Sequence, residues 1–152
     1  GIGCALDTSG AVELSESVKA AVDASELVIL DIKMPDEERY EKFIGGGIER
    51  PLKLLDHCLK TKKRLWLRTV IVPGINDEEK IVDEYVALLG ERLKGVEKYE
   101  LLAFHTLGFS KYEKMGIVNP LADTPALGAE RLGELQKYLD EKIERITGRK
   151  NG

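Results

Sequence analysis

Four short runs of β-type residues alternate with helical patterns, and this alternation limits the fold more than any other feature of the sequence. The runs are Gly3–Asp7, stopped by Ser9 and Gly10; Leu27–Lys33, stopped by Pro35; Leu65–Val72, stopped by Pro73 and Gly74; and Tyr99–Phe104, ending at His105. After the first comes a weak amphipathic pattern with Leu14, Val18 and Ala21/Val22 on one stripe. After the second come a charged helix from Asp36 to Phe43, the triple glycine Gly45–Gly47, and a helix carrying Ile48, Leu52, Leu55 and Leu59. After the third, Asn76 or Asp77 is placed to cap a helix with Ile81/Val82, Tyr85/Val86 and Leu88/Leu89. The fourth leads into a long loop and a last helix with Leu132, Leu135, Leu139, Ile143 and Ile146.

Strands alternating with helices form βαβ units and a parallel sheet, so the fold class is α/β. The second and third runs are nearly continuous apolar stretches, the pattern of strands covered on both faces. The chain has 152 residues, whereas a closed eight-unit barrel takes about 250. The expectation is a single domain over residues 1–152, either a small open sheet or part of a barrel. Gly1-Ile2-Gly3 has no initiator Met and enters an apolar segment almost at once. That reads as a cut inside a larger fold.

Composition excludes several classes. With 23 Lys and Arg against 27 Asp and Glu, the net charge is −4, the wrong balance for a general nucleic-acid binder. No apolar run approaches the ~20 residues of a membrane span, and no signal-peptide pattern opens the chain. The expected setting is cytoplasmic. The two cysteines, Cys4 and Cys58, exclude a disulfide framework and a zinc site of the two-CxxC type. Both are expected to be buried, and Trp66 is expected in the core. The triple glycine fits no phosphate-binding motif and reads as a flexible loop.

Ionisable residues interrupt the strands near one end. Asp7 ends the first run; Asp31 and Lys33 end the second, two apart and so on one face; Arg68 stands within the third; His105 ends the fourth. In parallel α/β folds, ligands bind beyond the carboxyl ends of the strands. Charges in buried strands are costly unless paired or used. Each residue has a structural alternative: a turn at Asp7–Gly10, an ion pair for Asp31 and Lys33, a snorkelling Arg68, a loop His105. Together, two carboxylates, an ammonium, a guanidinium and an imidazole suit a cation and a ligand carrying both charge signs.

The segments Leu6–Gly10, Leu27–Lys33, Trp66–Asp77 and Glu100–Gly108, followed by Gly108–Gly116, resemble the activating enzymes of glycyl-radical enzymes. These are a branch of the radical S-adenosylmethionine superfamily. The resemblance covers nearly the whole chain in the right order. It implies a partial (β/α)6 barrel of which this chain supplies the last four βα units, with the amino-terminal units absent. In that family a [4Fe-4S] cluster reduces S-adenosylmethionine, whose sulfonium bond breaks to methionine and a 5′-deoxyadenosyl radical. The radical takes a Cα hydrogen from a glycine of the partner. By motif position, Lys33, Arg68 and His105 are implied cofactor contacts. Asp7, Thr8, Asp31 and the carbonyl of Ile29 are implied ligands of a monovalent cation. The implied partners are a glycyl-radical enzyme, with pyruvate formate-lyase the default, and a reductant such as flavodoxin.

Two departures bear on function. The CxxxCxxC cluster motif is missing, and so is the glycine-rich cofactor motif of the second unit. Three thiolates hold such a cluster in the family, so the chain by itself is expected to be inactive and to bind S-adenosylmethionine weakly. The family more often has Pro-Tyr-His where this sequence has Ala103-Phe104-His105. An unpartnered first strand is expected to promote self-association. A non-catalytic binding module and a plain doubly wound domain with structural strand-end charges stay open as alternatives.

Overall fold

Every second residue of the two central strands is buried, and this alternation organises the computed structural model, which describes residues 2–152. Strand β2 (Leu27–Asp31) buries Val28 and Leu30; β3 (Arg64–Ile71) buries Leu65, Leu67, Thr69 and Ile71. With β1 (Ala5–Thr8) and β4 (Lys98–Ala103) they form a parallel sheet in the order β1-β2-β3-β4. The helices are α1 (Glu16–Ala24), α2 (Glu37–Ile44), α3 (Glu49–Lys60), α4 (Glu79–Leu89), α5 (Phe109–Met115) and α6 (Ala129–Thr147), with a 3-10 turn at Gly90–Gly95.

The core lies on one face of the sheet. Val22 of α1, Leu54, Leu55 and Cys58 of α3, Tyr85 and Leu89 of α4, and Leu135, Leu139 and Ile143 of α6 cluster with the buried strand residues. Each such aliphatic side chain contributes on the order of 1.5–3 kcal/mol through burial. On the opposite face, Ile29, Asp31, Trp66, Arg68 and Val70 stay half-buried. The expected cover on both faces is therefore corrected: helices cover one. Leu27–Leu30 is apolar at every position, so the alternation is invisible in that run. A doubly wound sheet carries helices on both faces, so that alternative is set aside.

Several local expectations change. Neither Asn76 nor Asp77 caps α4, whose N-cap is Glu78. Asn76 is fully buried, and its Oδ1 accepts from the Val72 amide at 2.6 Å. Asp77 instead accepts from the Gly74 amide at 2.8 Å. The stretch read as a long loop contains α5. Within the triple glycine, Gly45 ends α2 in the left-handed region. Cys4 is exposed, not buried, because it precedes an edge strand; Cys58 is buried as expected. Trp66 lies on the uncovered face, with the Lys98 ammonium 5.1 Å from its ring centroid.

The two sheet edges differ. At β4, Asn151 Oδ1 accepts from the Tyr99 amide and its Nδ2 donates to the Tyr99 carbonyl, both at 2.7 Å. Gln136 Oε1 accepts from the Leu101 amide at 2.7 Å. Two side-chain amides thus stand where a fifth strand would bond. At β1, no strand pairs with the outer edge among the described residues.

Candidate functional site

Parallel register brings the strand-end charges together. Asp31 on β2 is the ladder partner of Arg68 on β3, and Arg68 is that of Glu100 on β4. Asp7 on β1 is opposite Ile29. These residues share the face that no helix covers. Arg68 Nη2 donates to Asp7 Oδ1 at 2.5 Å and its Nε donates to Asp31 Oδ1 at 3.1 Å. Lys33, just past the strand, puts its ammonium 2.7 Å from Asp31 Oδ2. Asp31 is the most enclosed member, its side chain 18% exposed; that of Asp7 is 58% exposed.

The cluster balances its own charge, with two carboxylates against a guanidinium and an ammonium. Burial disfavours the charge of Arg68, but its hydrogen bond to Asp7 and the charges of Asp31 and Asp7 outweigh it. The guanidinium is held above its ordinary range. Both its planar edge and the Lys33 ammonium suit the carboxylate of a ligand. A second ion pair continues the face on β4, where Lys98 Nζ lies 2.9 Å from Glu100 Oε1.

Of the predicted residues, Asp7, Asp31, Lys33 and Arg68 come into direct contact. Thr8 and Ile29 flank them in the ladder, and Thr8 Oγ1 accepts from the Gly10 amide at 3.1 Å. His105 stands apart, exposed beyond β4, at the rim of a cavity of about 400 Å³ lined by Val70, Leu102, Ala103 and Phe104. Among the described residues it makes no hydrogen bond or ion pair with the cluster.

Sequence reasoning missed the polar residues behind the site. Thr69 Oγ1 donates to the Ile32 carbonyl at 2.7 Å, and Tyr85 OH donates to the Lys33 carbonyl at 2.9 Å. Tyr85 looks like one more apolar helix position. The signal available was Asn76, an amide directly after the apolar run Val70–Ile75, which aims Nδ2 at Tyr85 OH at 3.1 Å. Lys98 and Glu100 were also passed over, although they alternate with Tyr99 and Leu101 as a half-exposed strand should.

The thiols do not fit an iron–sulfur cluster. Cys4 is exposed ahead of β1, while Cys58 is buried in α3, where burial pushes its thiol up to about 11. Among the described residues, no three His, Cys, Asp or Glu side chains converge on a metal position. No helix is long and apolar enough to cross a membrane.

No family model matches the chain. A pyruvate formate-lyase-activating enzyme from Clostridium pasteurianum is 33% identical over 144 residues, which are 95% of this chain and 59% of that protein. One from Staphylococcus aureus is 32% identical over 143 residues, 92% of this chain and 54% of that protein. The chain thus spans little more than half the length of these relatives. A solved domain of a pyruvate formate-lyase-activating enzyme from Bacteroides vulgatus superposes with a TM-score of 0.68 at 18% identity. That match covers 99% of this chain and 80% of the domain, and it speaks to the fold alone. The similarity read from the strand segments therefore extends over nearly all of the sequence.

Proposed function

We infer that this chain belongs to the glycyl-radical-activating branch of the radical S-adenosylmethionine enzymes and forms the part that contributes Lys33, Arg68 and His105 to the cofactor site. One observation carries the reading: Arg68 on the uncovered face links Asp7 and Asp31, with Lys33 alongside, near the carboxyl ends of adjoining parallel strands. The 33% identity to a pyruvate formate-lyase-activating enzyme over 95% of the chain supports it.

On this reading Arg68 and Lys33 hold the carboxylate of S-adenosylmethionine, and Asp31 keeps both cations oriented between ligands. His105, at the rim beyond β4, offers an imidazole as donor or acceptor to the same ligand. When bound and reduced by one electron, the cofactor supplies homolysis of a carbon–sulfur bond. The two thiols here do not fit the [4Fe-4S] cluster that delivers that electron, so its thiolates come from outside these 152 residues. The chain alone is inactive and binds the cofactor weakly. Asp7, Thr8, Asp31 and the Ile29 carbonyl are hard oxygen donors of the kind a monovalent cation takes. A cation between the two carboxylates competes there with the Arg68 guanidinium.

The partner is a glycyl-radical enzyme, by default pyruvate formate-lyase, with flavodoxin or a similar protein as reductant in the cytoplasm. The fold is a segment of a partial barrel, supported by its one-sided helix layer. The outer edge of β1 is where the sheet is extended, by further barrel units or by self-association. The test is to read the coding sequence upstream of Gly1 and express what it encodes. An in-frame CxxxCxxC, with a glycyl-radical signal on pyruvate formate-lyase in electron paramagnetic resonance, is the expected result. A stop codon with no such motif overturns the enzyme reading.

A further inference from the structure

Beyond Asp31 the chain leaves the β2 ladder, and the carbonyls of the buried Ile32 and the half-buried Lys33 take donors from elsewhere. Two buried hydroxyls provide them: Thr69 Oγ1 to Ile32 at 2.7 Å and Tyr85 OH to Lys33 at 2.9 Å. Each has a second partner. The Tyr99 hydroxyl lies 2.9 Å from Thr69 Oγ1. Asn76 Nδ2 donates to Tyr85 OH at 3.1 Å and to the Val70 carbonyl at 3.0 Å. The Ile32 amide donates to the Arg68 carbonyl at 2.9 Å. The backbone between the Asp31 and Lys33 side chains is thus tied from the helix-covered side, while those side chains meet in the charge cluster.

We propose that Tyr85, reaching from α4 to the carbonyl of Lys33, is a positioning residue that keeps the Lys33 ammonium on Asp31 and beside Arg68. This rests on the reading of that cluster as a ligand site. Tyr85 has no bond to any charged side chain of the cluster among the described residues; its hold on Lys33 runs through the backbone. Thr69 does the same one residue earlier. With both hydroxyls in place, the ammonium is pre-oriented before a ligand arrives, so less side-chain freedom is lost on binding.

The test compares Tyr85→Phe, which keeps the ring and removes the hydroxyl, with wild type and with Lys33→Ala. Thr69→Val is the second probe. The first readout needs no ligand: the two Hε protons of Lys33 in nuclear magnetic resonance are inequivalent when the ammonium is held and merge when it is free. They are expected to be split in wild type and to merge in Tyr85→Phe. The second is titration with S-adenosylmethionine. Tyr85→Phe is expected to weaken binding about three- to tenfold in the Lys33 background and to add nothing to Lys33→Ala. A purely structural role lowers the urea midpoint equally in both backgrounds and shows no such coupling. A splitting that persists in Tyr85→Phe, whatever Thr69→Val shows, or equal losses with and without Lys33, overturns the proposal. Wild type that fails to bind overturns the site reading instead, and the splitting still decides the role of Tyr85.

Discussion

Arg68 Nε lies 3.1 Å from Asp31 Oδ1, and the two residues are direct partners across the β3–β2 ladder. The guanidinium also reaches Asp7, so one cation compensates carboxylates from two strands. Removing it leaves both without that partner. Arg68→Ala is expected to destabilise the fold by about 1–2 kcal/mol, between the values for exposed and fully buried pairs. Adding Asp31→Asn should recover part of the loss in urea unfolding. Additive losses would mean that the pair is not coupled.

Gly10 follows Thr8 in a left-handed turn, φ +63°, and a Cβ there would meet the backbone of Pro51 at 2.9 Å. Gly133 lies inside α6, and a Cβ there meets nothing within 4 Å. Gly10→Ala is expected to cost about 2 kcal/mol or more. Gly133→Ala should add about 0.5–1 kcal/mol. Thermal unfolding of the two variants gives opposite signs if the turn and the helix are as described.

Cys58 is neutral in the fold up to about pH 11, because burial disfavours its thiolate. Its unfolded counterpart ionises from about pH 8.5. Between those values the unfolded state has lost the proton and the native state has not, so stability falls as pH rises. The slope reaches at most about 1.4 kcal/mol per pH unit. Above pH 10, Tyr85 and Tyr99, both raised chiefly by burial, add to the fall. Cys58→Ala should flatten the curve between pH 8.5 and 10. At pH 8 the native chain should take one equivalent of a thiol reagent, at the exposed Cys4. Two rapid equivalents would contradict the burial of Cys58.

Asn151 seals the β4 edge by bonding both the amide and the carbonyl of Tyr99. Asn151→Ala is expected to speed hydrogen exchange at the Tyr99 amide about tenfold or more, while Leu67 in the sheet interior stays protected. The Leu101 amide, bonded to Gln136, should change less. Unchanged exchange at Tyr99 would show that the edge is protected by something else.

The strands and the charged site were legible in the sequence for different reasons. Asp31 and Lys33 stand two apart and so share a face, and Arg68 interrupts an apolar run. Both signals are local. That Arg68 reaches two carboxylates at once depends on register across three strands, which no single run encodes. The bare face of the sheet was hidden because Ile29 and Val70 are apolar yet only half-buried. Tyr85 and Thr69 were hidden because a buried hydroxyl looks like core until its partner carbonyl is known. Helix α5 escaped because it buries no residue and so shows no apolar stripe.

On the proposed function, the Asp31–Lys33–Arg68 cluster binds the carboxylate end of S-adenosylmethionine. The most direct test is a titration of the chain with S-adenosylmethionine, followed by nuclear magnetic resonance, in wild type, Lys33→Ala, Arg68→Ala and Lys98→Ala. Weak saturable binding is expected, with shifts concentrated around Lys33 and Arg68, weaker binding in those two variants and unchanged binding in Lys98→Ala. Absence of saturable binding, or binding indifferent to Lys33 and Arg68 in folded variants, would contradict it.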